Sequence, residues 1–249
     1  MITTLMLTLL SCATAPRQDD LPAPVDVKIG GDAHKPYLLH GAGKDAKAPS
    51  SGWKILVAMP GGDGSAEFAP FVGRIRENVL GKDWLIVQIV APVWEEEQSK
   101  KNVWPTKLSP WPKMEFPCEE LFAAVLEDVQ KTRKLDPKYL VTLAYALALQ
   151  EKSPVTGTFI AMSVFKPEIL PSLKGAKGRS FYILHSPEDS IPIQMAEDAR
   201  DQLAKNGAKV EYATYAGGHG WHGDVYGTIR TGLDWLGKQA KTSKGRPTK

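Results

Sequence analysis

Two residues in the last quarter of the chain are of the right types and spacing to move a proton. Asp189 follows the apolar run Ser180-Phe-Tyr-Ile-Leu-His185 within Ser186-Pro187-Glu188-Asp189-Ser190-Ile191-Pro192. About thirty residues later His219 stands among glycines, in Tyr215-Ala-Gly217-Gly218-His219-Gly220-Trp221. A carboxylate can hold an imidazole in one tautomer and stabilise its charge. The imidazole can then take a proton from a hydroxyl nucleophile. Each residue also has a plainer reading. An Asp before Ser and Pro is a common turn residue, and a His between glycines can be an ordinary loop residue. Their joint placement after consecutive apolar runs favours the acid–base pair.

The elements that must position them alternate. Apolar runs at Pro36–His40, Trp53–Met59, Trp84–Pro92, Tyr139–Leu143, Thr156–Phe165, Ser180–His185 and Val210–Ala216 read as strands. Helices are expected over Ser65–Leu80 and Phe116–Lys134, each with apolar residues at helical spacing, and over Pro192–Asn206 and Asp224–Gly237. Strands apolar on both faces, separated by helices, indicate an α/β fold of three layers, α/β/α, around a mainly parallel sheet. Between strand and helix, Trp94, Trp104 and Trp111 mark a polar, Trp-rich excursion.

The resemblance is to the α/β-hydrolases, in the style of secreted serine esterases of the polyhydroxybutyrate-depolymerase and feruloyl-esterase kind. Four segments carry it. Val57-Ala-Met-Pro60-Gly61-Gly62-Asp63-Gly64-Ser65 resembles the loop that supplies an oxyanion-hole amide. Leu135-Asp136-Pro137-Lys138-Tyr139-Leu140-Val141 resembles the approach to the nucleophile strand, and the segments around Asp189 and His219 resemble the acid and histidine loops. The resemblance implies hydrolysis of a small or polymeric carboxylic ester through an acyl-enzyme. Asp189 would be the acid and His219 the base, with Gly61, Gly62, Asp63 and Trp221 binding oxyanion and substrate.

The family's nucleophile sits in Gly-x-Ser-x-Gly on a tight strand-to-helix turn. The chain contains no such motif, and no glycine occurs from Lys82 to Thr156. Leu143 runs straight into Ala144-Tyr145-Ala-Leu-Ala-Leu-Gln150, which reads as the body of the following helix. The turn and the first helical turn look excised. A shortened strand near Leu143, a helix starting one or two turns late and a hole at the nucleophile position are expected. Ser65 is the weak substitute nucleophile, although it also reads as a helix N-cap. Ser163 reads as core, Cys118 as the start of a surface helix, and Thr142 as a strand residue. A non-catalytic domain that binds a ligand or a protein is the alternative function.

Composition narrows the partners. The chain of 249 residues is 43% apolar and 24% charged, as in soluble globular domains. Net charge is +3, but Lys238, Lys241, Lys244, Arg246 and Lys249 lie in the last twelve residues, so the body is near neutral and suggests no nucleic-acid partner. No cofactor is expected: Glu67 stands where a dinucleotide loop beginning at Gly62 needs its third glycine. No metal is expected either, since His219 and His222 lack a third ligand. The apolar run Ile2–Leu10 followed by Ser11-Cys12 resembles a lipoprotein export signal, with Cys12 as the lipidated residue and membrane anchor. Cleavage after Ala15 is the other reading. The expected organisation is a signal segment over 1–12, a tether over 13–34, the hydrolase-like domain over 35–237 and a basic tail over 238–249.

Overall fold

The computed structural model describes residues 22–41, 46–142 and 144–242. The export segment, Cys12 and residues 243–249 of the basic tail lie outside these, as does Leu143. Eight strands form one sheet: β1 (Val25–Lys28), β2 (Pro36–His40), β3 (Trp53–Ala58), β4 (Trp84–Ile89), β5 (Leu135–Thr142), β6 (Gly157–Ala161), β7 (Ser180–His185) and β8 (Lys209–Thr214). Their order is β1-β2-β4-β3-β5-β6-β7-β8. β1 pairs with β2 and β2 with β4 in antiparallel fashion, and every other neighbouring pair is parallel.

The central strands look uniformly apolar in sequence because they feed two cores. Ile55 and Val57 of β3 face one cluster, and Leu56 and Ala58 face the other. On the first face lie α3 (Cys118–Thr132), α4 (Tyr145–Leu149) and α5 (Ile193–Lys205), which bury residues such as Leu121, Val125, Leu147 and Leu203. On the second face lie α1 (Ala69–Asn78) and α6 (Val225–Thr242), through Val72, Ile75, Ile229 and Leu233. A three-layer fold follows from strand alternation with helices on both sides.

Several boundaries differ from expectation; the strand expected over Thr156–Phe165 spans only Gly157–Ala161, and β5 begins at Leu135. Val25–Lys28, inside the stretch read as a tether, is an edge strand because its backbone pairs with β2. Residues 238–242 of the expected basic tail continue α6 to Thr242. The Trp-rich excursion contains a short helix, α2 (Glu96–Lys101), whose Lys100 and Lys101 pair with Glu96 and Glu97 four residues earlier.

The expected shortening of β5 does not occur. The strand runs to Thr142 and α4 begins at Tyr145. Leu140, Val141 and Thr142 pair with Ile55, Leu56 and Val57 of β3, and Val141 and Thr142 also pair with β6. Just before β6, the Thr156 N–H and hydroxyl donate to the Leu140 carbonyl at 2.9 and 3.1 Å. Unravelling β5 would strand these buried backbone groups. The helix that follows is short: α4 has five residues. Pro137 is tolerated because β5 bulges there: one β3 residue lies between the pairs Trp53↔Leu135 and Ile55↔Leu140, against four on β5.

Gly232 sets how closely α6 lies on the sheet. A β-carbon there would overlap the Phe159 ring and come within 2.7 Å of Tyr182, both buried. Helix propensity alone would make Gly232→Ala stabilising by about 1 kcal/mol. The steric conflict is larger, so the variant should lose about 1–3 kcal/mol net. The check is a lower urea midpoint at an unchanged m-value; a raised midpoint would contradict the packing described.

Candidate active site

Strands β3, β5, β6, β7 and β8 run parallel, so the loops that follow them emerge at one edge of the sheet. Three of these loops hold the residues singled out from the sequence.

The acid loop follows β7. Its turn closes through the Asp189 N–H, which donates to the Ser186 carbonyl at 3.1 Å. His185 Nε2 lies 2.9 Å from the Ile191 carbonyl and braces the turn from within. Asp189 Oδ1 accepts the Ile191 N–H at 2.8 Å. The histidine loop follows β8. His219 Nδ1 lies 2.9 and 3.1 Å from the two Asp189 carboxylate oxygens. The Asp189 side chain is fully covered, whereas that of His219 is 55% exposed. Burial alone would raise the Asp189 carboxyl, but the Ile191 N–H and the His219 imidazole outweigh it and hold the group below its ordinary value. An ionised Asp189 accepts from Nδ1–H, which leaves the lone pair of the neutral ring on Nε2, the atom that would take a proton.

The third loop follows β3. The Gly64 N–H donates to the Gly61 carbonyl at 3.1 Å, closing a turn. Trp104 Nε1 holds the Pro60 carbonyl at 3.0 Å, and the Ala91 N–H holds that of Gly64 at 2.9 Å. One tryptophan of the polar excursion thus braces the loop. Among the described residues the amides of Gly61 and Gly62 donate to no protein acceptor, so both are available to a ligand oxygen. The Asp63 carboxylate turns back to accept the Ser65 N–H at 2.9 Å, which lowers its titration together with the Ser65 side chain. Ser65 caps the following turn: its Oγ accepts the Glu67 N–H at 3.3 Å. Phe68 lies beside Gly62, while Phe71 packs against Trp221 with ring centroids 5.7 Å apart. The start of α1 thereby connects the loop of Gly61 and Gly62 to the histidine loop.

No side chain from β5 reaches this arrangement by the route the sequence pattern suggests. Thr142 is 0% exposed, and its hydroxyl has no hydrogen-bond partner. Tyr145 is buried against Phe165 and Phe181, and burial pushes its hydroxyl far up. Cys118 is buried in the core and its thiol is likewise pushed up. Ser163, read as core, sits half-buried on the loop after β6. Two open cavities, of about 660 and 580 Å³, border Gln150 and Glu151 just past α4. Neither is lined by Asp189 or His219. Among the described residues no group of three or more His, Cys, Asp or Glu could hold a metal, and no helix is long and apolar enough to cross a membrane.

Several contacting residues carry no advance signal in the sequence. Ser186 and Glu188 bind the histidine loop directly. The Tyr215 hydroxyl reaches the carbonyls of Gly218 and Gly220 at 2.9 and 2.7 Å. Met162 Sδ accepts the Gly220 N–H at 3.0 Å from a backbone at φ 51, unusual for a residue other than glycine. Ser186 and Glu188 are adjacent to the acid and look like ordinary turn residues. The Met162 contact spans 58 positions, beyond any local pattern.

The folded Asp189 carboxyl titrates below its unfolded counterpart, so its stabilisation is present above the unfolded value and lost as pH falls through the folded one. Wild type should therefore melt above Asp189→Asn at pH 7, and the gap should close as pH falls below about 4. Thermal melts across that range check this; a gap that persists or widens in acid would contradict it.

No family model matches the chain, and no curated relative does. Solved structures do. A thermostable esterase superposes with a TM-score of 0.61 at 16% identity over 88% of this chain; the chain spans 63% of that protein's length. A truncated form of a carbohydrate esterase from gut microbiota gives 0.63 at 11% identity, over 92% of this chain and 100% of its own. A carboxylesterase from Mesorhizobium loti gives 0.59 at 15% identity, covering 87% and 99%. With the strand order, the acid after β7 and the histidine after β8, these likenesses place the chain in the α/β-hydrolase fold.

Proposed function

We propose that the domain is of the carboxylic-ester hydrolase type, with its acid and imidazole retained and its serine-bearing turn lost, so that turnover is weak or absent. The observation that carries the proposal is the contrast between two strand ends. At β7 and β8, Asp189 and His219 are paired, and on the loop after β3 the amides of Gly61 and Gly62 donate to no protein acceptor among the described residues. At β5 the strand ends on a buried Thr142 and α4 begins three residues later. The esterases that share the fold support the ester class.

In a complete site a serine would attack the ester carbonyl while His219 Nε2 took its proton. Backbone amides would hold the resulting oxyanion, and the protonated imidazole would return the proton to the leaving alkoxide. Here the first partner is missing. His219 can still draw a proton from a water molecule, but no acyl-enzyme forms. Loss of the serine from such a triad lowers turnover on the order of a millionfold. The sequence resemblance to polyhydroxybutyrate-depolymerase and feruloyl-esterase types extends the proposal to small or polymeric esters outside the cell. The Leu9–Cys12 segment supports export and a lipid anchor at Cys12.

Purified protein should hydrolyse p-nitrophenyl esters negligibly, and His219→Ala should change that rate little. A fluorophosphonate probe should leave it unlabelled. Robust turnover abolished by His219→Ala, with a labelled serine, would refute the loss of the nucleophile.

A further inference from the structure

We propose that Glu188 and Ser186 are positioning residues for His219, forming a clamp by which the acid loop sets the tautomer and orientation of the imidazole. Three residues of one loop meet three consecutive residues of the other. Glu188 Oε2 accepts the Gly217 N–H at 2.9 Å, Ser186 Oγ accepts the Gly218 N–H at 3.1 Å, and Asp189 meets His219. The first two contacts lie on the chain immediately ahead of the imidazole.

The histidine loop needs outside anchors because its own backbone supplies little restraint. Gly217 and Gly218 have φ of 126° and 80°, a region open to glycine, and glycine resists rotation least. A β-carbon at Gly217 would come within 2.6 Å of the His222 ring, so the residue cannot be stiffened by substitution. His219 itself is more than half exposed, and among the described residues its side chain meets Asp189 alone. The Tyr215 hydroxyl and Met162 Sδ hold the loop at Gly218 and Gly220, which leaves the approach through Gly217 to the acid loop.

The clamp is rigid where the loop is not. Ser186 is 0% exposed and directly follows β7. Its hydroxyl donates to Glu188 Oε2 at 2.8 Å and accepts from the N–H groups of Glu188 at 3.2 Å and Gly218 at 3.1 Å. One donor and two acceptor sites are thus all used. The carboxylate of Glu188 makes its bond to Gly217 charge-assisted. Asp189 meets the ring directly; Glu188 and Ser186 bring the backbone to where Asp189 can reach it.

The inference rests on reading Asp189 and His219 as acid and base, but its test needs no substrate. The ¹⁵N shifts of the neutral His219 ring report its tautomer directly. Wild type should be almost wholly Nδ1–H. Glu188→Ala, at an exposed loop position, should lower the Nδ1–H to Nε2–H ratio by about tenfold, the order expected for loss of one charge-assisted hydrogen bond. Adding Ser186→Ala should lower it further. Glu188→Gln, which keeps an oxygen for the Gly217 N–H, should restore most of it. Far-UV circular dichroism should be unchanged throughout. An unchanged tautomer in Glu188→Ala, or a wild type that is not mainly Nδ1–H, would overturn the clamp. Neither result bears on ester hydrolysis, and an active enzyme would leave the clamp standing.

Discussion

Strand β5 alone joins the two halves of the sheet. On one side stand β1, β2, β4 and β3; on the other, β6, β7 and β8. If β5 left its place, the parallel ladders to β3 and β6 would both open, exposing backbone groups in the middle of two cores. This constraint explains how the strand and the helix after it share the few residues between them. The strand keeps its register and the helix after it loses length. A five-residue helix cannot satisfy many of its own hydrogen bonds. It is held by burying Tyr145, Leu147, Ala148 and Leu149 in the core beneath the sheet.

The same constraint leaves the far half of the sheet undisturbed. β6, β7 and β8 pair in continuous parallel register, from Gly157↔Ser180 and Ser180↔Lys209 outward to His185↔Thr214. Equal strand ends start the acid and histidine loops at the same height, and the Tyr215 N–H donates back to the His185 carbonyl at 3.2 Å. Asp189 and His219 meet because of this register and not because of anything at β5. The geometry at these two strand ends is therefore independent of the residues that follow β5.

Most of the fold was legible from apolar periodicity. Ser180–His185 and Pro36–His40 match their strands residue for residue, since each is bounded by a clear break in pattern. Asp189 and His219 were legible because a strand end fixes where the next loop residue must lie. Three things were not. β1 is four residues of alternating charge and valine, recognisable only through its partner β2. The course of β5 turned on a contest between local helix preference and long-range pairing, which local sequence cannot decide. Glu188, Ser186, Met162 and Tyr215 act by joining loops far apart in the chain, and their types alone do not mark them out.

The central claim is that the site lacks only a nucleophile-bearing turn. Inserting Gly-x-Ser-x-Gly between Leu143 and Ala144 tests it most directly, with p-nitrophenyl acetate hydrolysis as the measurement. The account predicts a gain of turnover that disappears when the inserted serine is changed to alanine and when His219→Ala is added. A folded insertion variant with no gain, or a gain indifferent to His219, would contradict it.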